Sequence, residues 1–345
     1  MAGSEFSDNM VNPVFERYGL AGRITIGSNS IGPHPSSAER PVHHAEWDKP
    51  SERGYVVGKH MINEPPPGKP FRIIVIGAGA AGIDFLHSAP PILEDLGVEI
   101  ACFEKNPDVG GTWYENRYPG CACDNPSVGY TFPWKSNPKW TSFYSSSDEI
   151  WRYLKEIVDD EGMMKYITLN TSVLGATWND VKSKWIVKLS QHGEGSSKEW
   201  EEECDVLLNG CGFLNAWKWP EIPGLQKFKG DLFHTANYQK GFDLKNKRVA
   251  VIGSGSSGVQ VCAAIYPEVE KLYTWVRSPT WITAAFGQQF AGEDGRNFEY
   301  TEEQKAAFEK DPDSYQRYKK MIEGELNKRF KLVLRNTKES DEANA

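Results

Sequence analysis

The apolar positions of this chain fall into two regimes. Residues 1 to about 70 carry Pro, Ser, Gly and His in runs such as Gly32-Pro33-His34-Pro35 and Pro65-Pro66-Pro67-Gly68, with little periodicity. Such a stretch buries little apolar surface, and it reads as an N-terminal arm. From Phe71 the pattern tightens. Phe71-Arg72-Ile73-Ile74-Val75-Ile76 is a near-continuous apolar run of strand length, the mark of a strand covered on both faces. A helix is expected after it, ending near Ala89 because Pro90-Pro91 cannot continue it.

The next strand is predicted at 98–103, and a helix at 146–160. In that helix Ser146 and Glu149 have capping-box spacing, and Ile150, Leu154, Ile157 and Val158 recur at helical intervals. Residues 167–178, 184–190 and 198–209 alternate, with turn residues between, which predicts an antiparallel excursion. A second buried strand is expected at 248–252. From Thr301 mixed charge predicts a surface helix whose stripe Tyr318, Ile322, Leu326 and Phe330 has no evident partner in the sequence.

Both buried strands run into glycines. In Gly77-Ala78-Gly79-Ala80-Ala81-Gly82, Gly77 permits a tight turn, Gly79 lets the backbone approach a pyrophosphate and Gly82 lets a helix pack on the strand. The following strand ends at Glu104, 22 residues past Gly82, where a carboxylate can accept both hydroxyls of an adenosine ribose. Gly253-Ser254-Gly255-Ser256-Ser257-Gly258 repeats the arrangement after the second strand. Here the next strand, 271–276, ends in Arg277-Ser278 instead of an acid, and an arginine there can pair a 2′-phosphate, which favours NADPH over NADH. Two different dinucleotide sites in one chain predict FAD reduced by a nicotinamide. The expected fold is therefore α/β with two Rossmann-like dinucleotide-binding domains.

Composition narrows the class further. With 39 Lys+Arg against 47 Asp+Glu the net charge is −8, which argues against a nucleic-acid partner. No apolar run reaches the ~18 residues of a membrane span, and the start lacks a basic region followed by an apolar stretch. Six cysteines in 345 residues are too few for a disulfide scaffold, and Cys121-Ala122-Cys123 has neither redox nor zinc spacing, so both thiols read as structural. A cytoplasmic protein without membrane partner or metal is expected.

Between the glycine clusters lies Gly110-Gly111-Thr112-Trp113-Tyr114-Glu115-Asn116-Arg117-Tyr118-Pro119-Gly120-Cys121-Ala122-Cys123-Asp124. This segment resembles the signature of type I Baeyer–Villiger monooxygenases, a Gly-Gly-x-Trp stretch running to Tyr-Pro-Gly and ending in Asp. A second motif, Phe228-Lys229-Gly230-Asp231-Leu232-Phe233-His234-Thr235-Ala236-Asn237-Tyr238, also resembles one of that family, which usually ends it in Trp. Tyr238-Gln239 is closer to the N-/S-oxygenating flavin monooxygenases. Many relatives also have arginine where this chain has Ala122.

The resemblance implies FAD contacts at Glu104, Thr112, Trp113, Tyr114, Glu115, Asp124, Tyr130 and Val173. It implies NADPH contacts at Cys123-Asp124, at Gly253, Ser254, Gly255, Ser256, Ser257, Gly258 and Gln260, and at Arg277 and Ser278. Asp124 takes a catalytic role and His234 couples the domains. The implied organisation is an arm over 1–70, a first part of the FAD domain over 71–212, and a linker with the NADPH domain and the start of a helical region over 213–345, the NADPH domain being inserted into the FAD domain. The implied reaction is insertion of one atom of O2 next to a ketone carbonyl through a flavin peroxide, giving an ester or lactone. The long arm resembles that of monooxygenases acting on bulky natural-product ketones. In relatives an arginine held by the Asp matching Asp124 follows a later Pro-x-Gly pair. No such segment is found, and the chain reads as the N-terminal two-thirds of an enzyme, to be completed by a further segment or a second chain. N-/S-oxygenation and a non-catalytic dinucleotide-binding fragment are the alternatives.

Overall fold

The computed structural model describes residues 70–193, 196–278 and 287–333, with side chains up to Lys328 in the last stretch. The expected arm lies outside the described residues, apart from Pro70, as does the side chain of Phe330. Strand β1 (Arg72–Ile76) is the centre of a parallel sheet with β2 (Glu99–Phe103), the short β3 (Ile167–Thr168) and β7 (Val206–Asn209), in the order β3-β2-β1-β7. Alternate residues of β1 enter different cores. Ile73 and Val75 pack with Ile83 and Leu86 of helix α1 (Ala80–Ser88) and with Ile150, Leu154 and Ile157 of α4 (Ser147–Asp160), whereas Ile74 faces Val187 and Leu189 of an antiparallel sheet. That sheet is β4 (Thr171–Asn179), β5 (Lys184–Gly193) and β6 (Ser196–Cys204). A parallel sheet covered on both faces is what the continuous apolar run requires.

Two strands expected as single runs are each divided between the sheets. The 167–178 run breaks at Asn170, whose φ of 54° lies in the left-handed region, so β3 stays beside β2 while β4 turns away. The 198–209 run breaks at Asp205. Its carboxylate accepts from the Arg72 backbone N–H at 2.9 Å and pairs with Lys184, which returns β7 to the edge of β1. α1 ends at Ala89 ahead of Pro90, as the proline pair demands, and a short helix α2 (Pro90–Leu93) follows. The α4 cap is half the expected box. Ser146 accepts from the Glu149 N–H, but the Glu149 carboxylate accepts from the Thr141 N–H and Oγ1 instead of reaching back.

The second unit is β8 (Arg248–Ile252), helix α5 (Ser256–Ile265) and β9 (Lys271–Trp275), with β8 and β9 parallel. Its core of Val249, Val251, Val261, Ile265 and Leu272 is shared with Tyr118 and Cys121. Helices α6 (Glu302–Lys310) and α7 (Pro312–Val333) close the described chain. The α7 stripe is not bare, contrary to expectation. Tyr318 and Ile322 are 7% and 0% exposed, the Tyr318 ring stacks on Phe308, its hydroxyl meets that of Tyr300 at 3.0 Å, and Leu326 packs on the same core. Its partners are Tyr300, Phe308 of α6 and the turn at 127–129, which lie in separate stretches with no shared periodicity to announce them. No helix among the described residues is long and apolar enough to cross a membrane.

Candidate functional site

The first glycine turn is built by backbone contact. Gly77 has φ +92°, and a Cβ on Gly82 would sit 2.1 Å from the Gly77 carbonyl oxygen, so strand and helix meet where no side chain fits. Gly79 differs. Its φ of −81° is open to any residue and an added Cβ would be at ordinary distance, 3.5 Å, from Gly111 Cα. It is the N-cap of α1 with no side-chain cap, so the first-turn N–H groups face outward unpaired by a side chain. At the end of β2, Glu104 is 4% exposed, and its two carboxylate oxygens accept from the N–H groups of Ala78 and Asn106, both at 2.8 Å. Those bonds leave each oxygen with acceptor capacity beside the glycine turn, which is the chemistry a ribose diol needs. Glycine turn, helix N-terminus and buried carboxylate fit the adenosine diphosphate part of a dinucleotide.

The Gly110–Asp124 segment is packed onto this turn. Gly110 N–H donates to the Ala78 carbonyl at 3.0 Å, and a Cβ on Gly111 would stand 3.0 Å from Gly79 Cα. Thr112 opens the short helix α3 (Thr112–Glu115), where Glu115 is held by Lys105 at 2.7 Å and Asn106 at 2.9 Å. Trp113 Nε1 donates to Tyr130 Oη at 3.0 Å, and the Arg117 guanidinium lies over the Tyr114 ring at 3.8 Å. Thus Gly77, Gly79, Gly82, Glu104, Thr112, Trp113, Tyr114, Glu115 and Tyr130 form one neighbourhood. Val173 is half-buried against the core between the parallel sheet and β4–β6, two residues past Thr171, whose N–H donates to the Glu104 carbonyl at 2.8 Å. Asp124 is exposed, and its charge helps hold Tyr118, Tyr130 and Tyr144 above the usual tyrosine range, after burial, which is the larger cause.

Burial likewise pushes the Cys123 thiol up to about 11, and burial with the Glu104 carboxylate pushes Cys102 up to about 12. Thiolates are the reactive form, so these cysteines should stay unlabelled in the native chain at about pH 8. Half-exposed Cys211 should react first with a thiol reagent, and Cys102, Cys121, Cys123 and Cys204 only on unfolding. Peptide mapping of the label checks this; early labelling of Cys123 would contradict its buried, structural place.

In the second turn Gly253 has φ +116° and a Cβ on Gly258 would meet the Gly253 carbonyl oxygen at 2.6 Å, while nothing lies within 4 Å of one on Gly255. Gly255 caps α5 without a side-chain bond, which leaves the N-terminus of α5 open at the Ser256 end. Arg277 and Ser278 follow β9 and are exposed. Ser257 Oγ lies 3.2 Å from Thr235 Oγ1. Gln260, expected beside the cofactor, is engaged within the protein, where its amide bridges Tyr118 Oη and the Ala122 carbonyl, next to Cys123. No sequence signal assigned it there, although Ser257, Gln260, Val261, Ala264 and Ile265 form a helical stripe.

His234 caps a turn at 235–237. Its Nδ1 accepts from the Ala236 N–H at 3.1 Å, and its ring stacks on Trp217 at 4.6 Å with Trp219 edge-on. Desolvation lowers its pKa, so protonation would cost burial energy and break the bond to Ala236. The turn's contribution is complete above the unfolded histidine pKa of about 6.5 and is lost as pH falls through it towards the lower folded value. His234→Phe keeps the ring stack without the titration. Its melting temperature should therefore fall less than the wild type's between neutral pH and about pH 5.5; equal slopes would contradict this.

Residues 70–332 match the family described as flavin-binding monooxygenase-like. The chain is 38% identical over 277 residues to the FAD-binding monooxygenase tazF of Aspergillus terreus, covering 79% of this chain and 49% of that protein. It is 33% identical over 221 residues to a Baeyer-Villiger monooxygenase of Streptomyces coelicolor, covering 64% of this chain and 40% of that one. Among solved structures it resembles cyclohexanone monooxygenase from Rhodococcus sp. Phi1 bound to NADP+, with a TM-score of 0.59 and 33% identity over 71% of this chain and 44% of the other. The chain spans about half the length of the curated relatives it matches. With two strand–glycine–helix units, a buried carboxylate at the end of β2 and this match over most of its length, the chain belongs to the flavin-binding monooxygenase-like family.

Proposed function

We propose that this chain is the dinucleotide-binding part of an FAD- and NADPH-dependent monooxygenase that places one atom of O2 next to a ketone carbonyl. The observation that carries the reading is the loop Tyr118–Asp124, which leaves the first glycine turn's neighbourhood and packs directly on α5 of the second. The first turn, with Gly77, Gly79, Gly82 and Glu104, would hold FAD, its isoalloxazine end reaching towards Thr112–Glu115, Tyr130 and Asp124. The second, with Gly253–Gly258, Arg277 and Ser278, would hold NADPH with its nicotinamide towards Cys123 and Asp124. FAD when bound supplies two-electron redox chemistry, with hydride in from NADPH and electrons out to O2. The protein's part is to bind both groups through backbone N–H groups, to orient them through the shared loop, and to keep water away with the aromatic packing around Trp113 and Tyr130.

The test supplies the FAD-loaded chain with NADPH and O2 and counts products per NADPH, using a bulky cyclic ketone, a thioether and an amine in parallel. FAD-dependent NADPH oxidation is expected, with any oxygenated product coming from the ketone. Hydrogen peroxide is counted alongside the oxygenated products. Oxygen on the thioether or amine instead of the ketone would move the protein to the N-/S-oxygenating class, which Tyr238 favours. Absence of FAD-dependent NADPH oxidation would contradict the reading.

A further inference from the structure

Both ends of the Gln260 side chain are engaged inside the protein. Oε1 accepts from Tyr118 Oη at 2.7 Å and Nε2 donates to the Ala122 carbonyl at 3.0 Å. A carbonyl only accepts, so the NH2 end must face Ala122, and the oxygen is left for the tyrosine hydroxyl. The Ala122 side chain plays no part in that bond, so the departure from arginine at this position leaves it intact. The bridge sits in an otherwise apolar contact, where Val261 and Ile265 pack with Tyr118 and Cys121. The loop presses on the helix itself: a Cβ on Gly120, at φ +79°, would stand 2.8 Å from the Gln260 carbonyl oxygen.

Helix α5 carries the second glycine turn at its N-terminus, and the loop it grips ends in Cys123 and Asp124. Any rotation of α5 against the loop changes the separation of the two turns. We infer that Gln260 is a positioning residue: the Tyr118–Gln260–Ala122 bridge sets how the second dinucleotide site is held against the first, acting through this seam and not through contact with a cofactor. The inference rests on reading the two turns as FAD and NADPH sites. Hydride transfer is sensitive to such placement, since a displacement of about 1 Å can cost about 100-fold in rate.

The test compares Gln260→Leu, Tyr118→Phe and the double variant of the whole 345-residue chain. Tyr118→Phe removes one hydroxyl and keeps the packing, so the question stays open to test if the leucine variant folds poorly. In cofactor-free protein, hydrogen exchange should quicken in α5 and at the Cys123 amide, which donates to the Ser145 carbonyl, in both single variants, with β4–β6 unchanged. With FAD bound and O2 removed, the limiting rate of flavin bleaching should fall about tenfold or more in each. The NADPH concentration giving half that rate should move less than about threefold, and the double variant should be no slower than the slower single. Gln260→Leu weakening NADPH tenfold while Tyr118→Phe behaves as wild type would make Gln260 a cofactor contact and overturn the inference. Unchanged exchange in both variants would overturn it as well. If the unsubstituted chain is never bleached, the two-site reading fails, and exchange alone decides the seam.

Discussion

Gly79→Val should give a folded chain that purifies without yellow flavin. Gly79 sits at an ordinary φ of −81°, and a Cβ there meets protein only at 3.5 Å, so the polypeptide itself tolerates a side chain. What a branched side chain would fill is the space over the unpaired N–H groups of α1, where the pyrophosphate of FAD is proposed to lie. Losing that approach should weaken FAD at least about 100-fold, close to 3 kcal/mol at 1.4 kcal/mol per factor of ten. Gly82→Ala supplies the contrast. Its methyl would be driven to 2.1 Å from the Gly77 carbonyl oxygen, backbone against side chain, and β1 and α1 could not stay together. That variant should fail to fold, whereas Gly79→Val should melt near the wild type. Undiminished flavin in well-folded Gly79→Val protein would remove the first site.

Arg277→Ala should weaken NADPH about 10- to 150-fold, since a charge-assisted pair is worth ~1.5–3 kcal/mol. NADH lacks the 2′-phosphate and should be affected little. Arg277 is exposed two residues past the end of β9, one place beyond the position that Glu104 takes after β2, so its guanidinium is available as a planar fork for phosphate. Gly255→Val separates cofactor class from cofactor preference. With open space around its Cβ and φ −70°, it should fold, keep FAD and lose both nicotinamide cofactors. Binding of each cofactor measured for both variants checks the pair, and equal losses of NADPH and NADH in Arg277→Ala would remove the 2′-phosphate assignment.

Much of this was legible in the chain because it depends on local signals. β1 and β8 are apolar runs ending in glycines, and α1 stops at a proline pair; each can be read within a dozen residues, although β8, expected as a buried strand, has no buried residue and leaves Ile252 58% exposed. Glu104 was legible because strand length fixes where a carboxylate must stand. What escaped reading depends on distant partners. The break at Asp205 exists because its carboxylate meets Arg72, 133 residues away, and the break at Asn170 is a single left-handed residue. The α7 stripe seemed unpartnered because the groups that cover it, Tyr300, Phe308 and the turn at 127–129, come from separate stretches of the chain. Gln260 lay inside a nucleotide motif, and the stripe it belongs to gave a helix face without naming the loop, over 130 residues away, that the face packs on. Val173 came from the resemblance alone; it is half-buried against the core under β4–β6, and no local pattern in its strand points to a ligand.

The central claim is that two dinucleotide sites in this chain face each other closely enough for hydride to pass between them. Anaerobic titration of the FAD-loaded chain tests it most directly, with the visible flavin absorption followed as NADPH is added. Full bleaching is expected at one NADPH per flavin, at far lower concentrations of NADPH than of NADH, with the difference lost in Arg277→Ala. A chain that holds FAD and binds NADPH, yet keeps its flavin oxidised, would contradict it.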